Sequence, residues 1–264
     1  MPVEIVEPLP LEAFFRPASW PRGTGALMST RVGGVSAAPC DSLNLKAQTA
    51  DPLDQIAVAE NRRRFAATLG ATPVFLDQVH GARVVRLGPA HTGPGAPVER
   101  ADASITTMPG IACTVMVADC LPVLFATRDG RAVGAAHAGW RGLAGGVLEA
   151  TVDAIRTAVP VAASDIVAWL GASIGPTQFE VGADVLAAFH EGEARHFAPA
   201  PARDGVSKWL ADLPALAQGR LRRLGLTEVT GCGLCTVNEA SRFFSYRRDR
   251  VTGRMAAAAW IDVA

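Results

Sequence analysis

The chain has 264 residues, 49% hydrophobic and 19% charged, so it can bury a sizeable core and is neither a disordered nor a coiled-coil sequence. Its 25 basic residues balance 25 acidic residues, which leaves no electrostatic case for nucleic acid or an anionic membrane as partner. Without a long apolar segment or a basic, apolar leader, we expect a cytoplasmic protein with no membrane span. An odd number of cysteines, five, argues against a disulfide framework.

Short apolar runs predict strands, and longer runs with helical spacing predict helices. The predicted strands are residues 26–31, 75–79, 111–117, 121–127, 132–136 and 167–170. The predicted helices are residues 51–69, 142–158, 184–191 and 210–224. Asp51 and Pro52 mark a helix start, and Asp129-Gly130 marks a hairpin turn. This mixture predicts the fold class α/β (α+β), a single compact domain over residues 1–264 with layered mixed sheets flanked by helices.

Three residues with reactive side chains lie in short motifs of small or turn-forming residues. Cys120 comes just after the predicted strand 111–117, and His137 comes at the end of the predicted strand 132–136. The Asp129-Gly130 turn makes the second of these strands antiparallel to the segment 121–127, which follows Cys120. His80 also follows a predicted strand. Two histidines and a cysteine would bind Zn²⁺ and leave one coordination position for water or substrate.

The same residues permit other chemistry. Cys120 is a candidate thiolate nucleophile with His137 as its base and Asp119 as an orienting group. A copper centre with Met116 as a distant axial ligand is a less favoured alternative, because the chain has five histidines and no His-x-His pair for a multicopper cluster.

Other motifs carry candidate binding residues or are expected to be structural. Arg141 follows His137 at a predicted helix start, Arg31 lies in a glycine turn, and Asn44 has an amide that can bond a ribose or a base. The Cys232-x-x-Cys235 pair has no second pair to complete a zinc site, so we expect it to be structural. The basic runs are expected to be solvated helix faces; they are residues 62–64 and 220–223.

Taken together, these segments resemble the YfiH-like, or laccase-domain, proteins, whose members are also labelled polyphenol oxidases, peptidoglycan editing factors and purine nucleoside phosphorylases. The matching segments extend over most of the chain. They are residues 29–36, 42–45, 78–81, 118–122, 135–142, 171–176, 179–181, 235–236, 243–249 and 252–254.

The resemblance implies a zinc ion held by His80, Cys120 and His137, which would also be the catalytic residues. It implies phosphorolysis of adenosine, inosine, guanosine or methylthioadenosine by a monomer, with adenosine deamination in some members. In such an enzyme, we expect the substrate-binding residues to be Arg31 and Arg141 for phosphate and Asn44 for the nucleoside. A deaminase also needs a carboxylate as general acid and base. The candidates are Asp119 and Glu180.

The alternative hypothesis is a cysteine hydrolase that acts on an amide or acyl bond, as the editing-factor label suggests. It predicts alkylation of Cys120 and a covalent intermediate. The zinc reading predicts that bound metal protects Cys120.

Overall fold

The alternation of short apolar runs and helical segments produces fourteen strands and six α-helices among residues 7–46 and 51–263, the residues that this computed structural model describes. The strands are β1 Phe14–Phe15, β2 Thr24–Ser29, β3 Thr72–Phe75, β4 Val84–Leu87, β5 Ala103–Thr106, β6 Ile111–Val117, β7 Leu121–Thr127, β8 Val133–Ala138, β9 Ile166–Leu170, β10 Glu180–Val181, β11 Phe197–Arg203, β12 Val206–Ala211, β13 Glu228–Gly231 and β14 Met255–Ile261. The helices are α1 Pro52–Leu69, α2 Trp140–Ala144, α3 Val147–Ala158, α4 Ala183–Ala187, α5 Leu213–Arg223 and α6 Tyr246–Asp249. None of these described helices is both long and apolar enough to cross a membrane.

The strands form two large mixed sheets and one small one. The order of the first is β1-β2-β14-β6-β3, and that of the second is β13-β9-β7-β8-β5-β4. In the first sheet the edge strand β3 is parallel to β6, and in the second sheet both edge strands, β13 and β4, are parallel to their neighbours, while the central pairs are antiparallel. The small sheet has the order β10-β12-β11. The predicted α/β class with layered mixed sheets is confirmed. The predicted bounds of 1–264 include residues 1–6, 47–50 and 264, which lie outside the described residues.

Burial on both faces explains why the central strands read as continuous apolar runs. Along β7, Leu124 packs with residues of the first sheet, whereas Val123 and Phe125 pack with helices α3 and α5. On the far side of the first sheet, Phe65 of α1 packs with β2 and β14. The order of layers is therefore α1, first sheet, second sheet, then α3 and α5.

Several element boundaries differ from the sequence prediction for local reasons. The predicted helix 142–158 is two helices, because Gly146 adopts a left-handed φ of 90° between α2 and α3. The predicted strand 75–79 ends at Phe75, and the following residues form the loop that carries a candidate ligand. The predicted helix 210–224 begins at Leu213, since Asp212 caps it through a hydrogen bond to the amide of Ala215.

The hairpin between β7 and β8 is as predicted. Six residue pairs join the two strands in antiparallel register, including Pro122 with His137. The turn glycine, Gly130, has a φ of 73°. The predicted cap of α1 is also confirmed, because the Asp51 side chain accepts a hydrogen bond from the amide of Leu53.

Candidate metal centre

The ends of β7 and β8 bring Cys120 and His137 together. Pro122 lies opposite His137 in the register, so Cys120, two residues before Pro122, stands at the open end of the same hairpin. Asp119 has a φ of 91°, and this left-handed residue turns the chain into β7. The antiparallel register and the turn place the thiol and the imidazole at the same end of strands β7 and β8, as the sequence predicts.

His80 reaches the same point from the loop after β3. Its φ is 61°, an unfavourable conformation that hydrogen bonds to one buried carboxylate maintain. Asp102 accepts hydrogen bonds from the amides of three consecutive residues, Val79 at 3.1 Å, His80 at 2.8 Å and Gly81 at 2.7 Å. The side-chain amide of Gln78 pairs with the backbone of Met116 in β6 and fixes the start of this loop.

The ligand atoms of His80, Cys120 and His137 all lie within 4.8 Å of one another. The distance from Cys120 Sγ to His80 Nε2 is 3.9 Å. Tetrahedral zinc with its usual bond lengths would place a sulfur and a nitrogen ligand about 3.6 Å apart. His137 Nδ1 donates to Asp102 Oδ1 at 2.8 Å, which leaves Nε2 for a metal, the usual pattern of a metal-bound histidine. The residues therefore fit a zinc ion.

Among the described residues, this is the one group of three or more histidines, cysteines and acids with metal-binding spacing. A multicopper cluster would need several such groups. Imidazole and thiolate ligands suit both zinc and copper.

Electrostatics at the centre favour a charged cysteine. Burial would raise the pKa of the Cys120 thiol, but the charge of His137 and the contact with His80 outweigh burial and lower the pKa to about 6. Burial would lower the pKa of His137, but the charge of Cys120 and the hydrogen bond to Asp102 raise it to about 9. Without metal, the neutral-pH state is a thiolate beside an imidazolium. Metal binding therefore releases the His137 proton.

Gly139 leaves the space that the ligands occupy. A Cβ atom at this position would lie 3.0 Å from both Cys120 Sγ and His80 Cδ2. The glycine of the His-Ala-Gly-Trp motif is thus required by close approach to the two ligands.

Two cavities flank Cys120. One, of about 280 Å³, carries positive charge from Lys46 and Arg254. The other, of about 200 Å³, is mostly apolar and includes Trp140 and Phe179 in its wall. Tyr246 lines both. The centre lies at the junction of a cationic and an apolar compartment.

The structure does not place the predicted phosphate ligands in these cavities. The Arg31 guanidinium donates to the backbone carbonyls of Asp41 and Ala240 at 3.0 Å and stacks on Phe244. Arg141 stacks on Trp140, with its Cζ 4.2 Å from the ring centroid. The described lining of either cavity includes neither arginine.

Asn44 lies behind the cationic cavity and is fully buried. Its Oδ1 accepts hydrogen bonds from the amides of Lys46 and Arg254, and its Nδ2 donates to the Lys46 carbonyl. The side chain therefore positions two cavity residues through their backbone.

The two carboxylates considered as general acid or base are engaged elsewhere. Asp119 accepts from the Thr236 hydroxyl and from the amide of Arg247, both at 2.6 Å. Glu180 forms an ion pair with Arg203 at 3.1 Å. Both contacts favour a structural role.

The basic runs are not simply solvated faces. Arg62 donates to the Leu45 carbonyl and stacks on Phe75, with its Cζ 4.2 Å from the ring centroid. Arg220 is 5% exposed and pairs with buried Glu193. Because arginine has a long side chain, its charged group can be buried even on a helix face with a polar sequence.

Asp102 and Lys46 were not predicted from the sequence, and Arg254 and Tyr246 were noted only as members of the matching segments 252–254 and 243–249. Asp102 left a usable signal, an isolated acid between alanines at the start of an apolar strand, since such an acid is rarely buried without partners. Lys46 left no such signal and Arg254 only its place in a matching segment, because long-range packing brings both residues to the cavity.

Fold and site together define a layered α/β protein with a His-Cys-His centre at the ends of two central strands. A model of the multi-copper polyphenol oxidoreductase laccase family matches residues 25–262. The chain belongs to this family, as the YfiH-like resemblance indicates.

Relatives and solved structures agree. A Pseudomonas aeruginosa protein named purine nucleoside phosphorylase is 49% identical, over 92% of this chain and 95% of its own length. The Escherichia coli purine nucleoside phosphorylase YfiH is 48% identical over 91% of this chain and 95% of its own. The crystal structure of YlmD from Geobacillus stearothermophilus is 30% identical, with a TM-score of 0.84 over 98% of this chain and 99% of that one.

Proposed function

We propose that this chain is a zinc-dependent purine nucleoside phosphorylase that cleaves adenosine, inosine, guanosine or methylthioadenosine with inorganic phosphate. The observation that carries the proposal is the position of His80, Cys120 and His137 between a cationic and an apolar cavity. A nucleoside and phosphate need these two environments side by side. The names of the relatives support the same activity.

In the reaction, a phosphate oxygen forms a bond to C1′ of the ribose while the bond from C1′ to the purine nitrogen breaks. The electron pair of that bond stays with the purine, and the proton of the phosphate ends on it. The products are the free purine and ribose 1-phosphate. Residues that neutralise phosphate and fix it beside C1′ therefore lower the barrier.

Arg254 and Lys46 are the residues that we assign to phosphate. Nη1 of Arg254 donates to the carbonyls of Thr252 and Gly253, both at 3.0 Å, which fixes the direction of the guanidinium. No described hydrogen bond uses the other two guanidinium nitrogens. Those nitrogens can form the two-pronged contact that arginine makes with phosphate.

A zinc ion bound by the three ligands would supply positive charge for negative charge that develops during cleavage. The Nδ1–H group of His137 donates a hydrogen bond to Asp102, which leaves Nε2 for the metal ion. The indole of Trp140 and the ring of Phe179 limit water on the apolar side. We also predict a cytoplasmic monomer, which cell fractionation and sedimentation would test.

The second candidate is a cysteine hydrolase. It is favoured by one observation, the Cys120-His137-Asp102 arrangement, in which a carboxylate orients the imidazole beside a thiol of pKa about 6. A hydrolase would form a covalent intermediate on Cys120, and zinc would inhibit it.

The test is chromatography of products from the zinc-loaded protein, incubated with adenosine or inosine with and without phosphate. Free base and ribose 1-phosphate that form only with phosphate are the expected products. Inosine from adenosine in both tubes would indicate a deaminase instead. Activity in copper-loaded but not zinc-loaded protein would reject the metal assignment. No conversion, together with rapid acylation of the metal-free protein by a thioester, would favour the hydrolase.

A further inference from the structure

Arg250 has a strained backbone conformation at the end of helix α6. It follows helix α6 with φ 61° and ψ −63°. The amide of Val251 donates to the carbonyl of Asp249 at 2.7 Å, so residues 249–251 form a γ-turn of the rare, strained hand. Glycine would adopt this conformation at lower cost.

The position of this strain is informative. Four non-glycine residues of the described chain have positive φ, and three of them, His80, Asp119 and Arg250, lie at the cleft. The fourth, Asp204, lies in the turn between β11 and β12. His80 provides a ligand and Asp119 fixes the adjacent turn. Strain concentrated at a site in this way indicates that Arg250 has a role there.

Arg250 lines the apolar cavity beside Cys120 and also the adjoining cavity beside Glu180 and Arg203. Its Cζ lies 5.6 Å from the ring centroid of Tyr246. In the described part of the chain it makes no hydrogen bond or ion pair, whereas the guanidiniums of Arg247 and Arg248 donate to backbone carbonyls. An arginine without a partner beside an aromatic wall can donate to a ligand in that cavity.

Tyr246 marks the boundary between the apolar cavity and the cationic cavity. It is half exposed and lines both. The next residue fixes it, because the amide of Arg247 donates to Asp119 at 2.6 Å in the turn before Cys120. A ribose bound at Cys120 would thus have phosphate on one side of Tyr246 and the base on the other.

From these contacts we infer that the apolar cavity binds the nucleobase and that Arg250 reads its edge, favouring 6-oxopurine nucleosides over 6-amino ones. The inference rests on the proposed function. A 6-oxopurine presents two adjacent acceptors, O6 and N7, which match the two donors of an arginine fork. Adenine presents a donor at the same place and cannot accept both bonds. Trp140, Phe179 and Tyr246 supply the aromatic surface against which a flat base packs.

The experiment compares kcat/KM for inosine and for adenosine in the zinc-loaded wild type, Arg250→Gln and Arg250→Gly. The inosine-to-adenosine ratio is expected to fall about tenfold in both variants. Arg250→Gly should also retain or raise the melting temperature, because glycine relieves the γ-turn, and a merely structural arginine would not combine these results. Arg131→Gln is the control, since Arg131 lies at the opposite end of β7 and β8 from Cys120. An equal loss for both nucleosides, or no change, would overturn the inference.

Binding separates this inference from the proposed function. The chain contains a single tyrosine, Tyr246, so 3-fluorotyrosine labelling gives one fluorine resonance. Hypoxanthine should shift that resonance and bind wild type about tenfold more tightly than it binds Arg250→Gln, with adenine insensitive to the change. If this holds while no nucleoside is cleaved, the base site stands and phosphorolysis falls. If cleavage occurs but hypoxanthine leaves the resonance unchanged, the base site falls and phosphorolysis stands.

Discussion

The carboxylate of Asp102 accepts a hydrogen bond from His137 Nδ1 at 2.8 Å while it also accepts the amide of His80 at 2.8 Å. One buried side chain therefore fixes the ring of one candidate ligand and the backbone of another. Burial would raise the pKa of Asp102, but the bonds from His137 and from the amide of Gly81 outweigh it, so the pKa is lowered and the group stays ionised. The two histidines are coupled through this charge.

Asp102→Asn should weaken zinc binding by about 10- to 100-fold, because an amide neither holds the His137 tautomer nor supports its basicity. The variant also replaces one carboxylate oxygen by a donor, so that either the amide of His80 or the amides of Val79 and Gly81 lose their acceptor, which should destabilise the fold by about 1–3 kcal/mol. Zinc affinity by competition with a chromophoric chelator and unfolding in urea measure the two effects. Asp129→Asn, in an exposed turn, is the control. Wild-type zinc affinity in Asp102→Asn would contradict the coupling.

The three ligands were predictable from sequence because each follows or lies in a strand that the apolar pattern identifies. Cys120 and His137 need only the Asp129-Gly130 turn to become neighbours, and that turn is local. Asp102 pairs with residues more than twenty positions away, and Arg254 approaches Asn44 across most of the chain. No local pattern encodes such contacts, so the role of Asp102 in holding two ligands and the lining of the cationic cavity became visible only in the folded chain.

Cys120→Ala should abolish both zinc binding and phosphorolysis, since two histidines alone rarely hold zinc tightly. In the metal-free wild type, iodoacetamide should modify Cys120 with a midpoint near pH 6, where the thiolate forms. Zinc should protect the thiol. Cys235→Ser, which alters a thiol that accepts the amide of Gly175, is the control and should retain activity. A fully active, metal-free Cys120→Ala would reject the zinc reading.

Gly139→Ala should distort the centre without unfolding the protein. The new methyl group would meet Cys120 Sγ and His80 Cδ2 at 3.0 Å, so the ligands must separate. We expect loss of zinc and of turnover with a nearly unchanged circular dichroism spectrum. Gly192→Ala is a matched control, because no atom lies within 4 Å of the added carbon. Equal zinc content in both variants would show that the site tolerates the methyl group.

Arg254→Gln should raise the KM for phosphate at least tenfold and change the KM for inosine much less. Its guanidinium lines the cationic cavity, whereas Arg31 and Arg141 are engaged in other contacts. The same substitution at Arg31 and Arg141 provides the comparison. Initial rates at varied phosphate concentration give the KM for phosphate of each variant. A larger increase in this KM at Arg31 or Arg141 than at Arg254 would show that phosphate binds to the arginines predicted from the sequence.

The buried ion pair of Glu193 and Arg220 should control acid stability. Both oxygens of Glu193 accept from Arg220 at 2.9 Å, and Arg220 also donates to the Leu143 carbonyl in α2, the helix after His137. Glu193→Gln should destabilise the protein by up to about 3–5 kcal/mol, because buried Arg220 then retains only the longer ion pair with Glu149, at 3.5 Å. Unfolding in urea measures this loss. Glu60→Gln is the control, because Glu60 is a partly exposed acid on α1 that pairs with Arg63 and Arg64, and its loss should change stability by less than about 1 kcal/mol.

The pH dependence of that stability follows from the same contact. Burial would raise the pKa of Glu193, but the bonds from Arg220 and Arg223 lower it from 4.5 to about 2. Because the folded-state pKa is below the unfolded one, the contribution is fully present above about pH 4.5 and is lost as pH falls towards 2. Wild type should therefore lose more stability than Glu193→Gln between these two values. Parallel stability curves for the two proteins across this range would contradict the assignment, because they would show that Glu193 takes up no proton on unfolding.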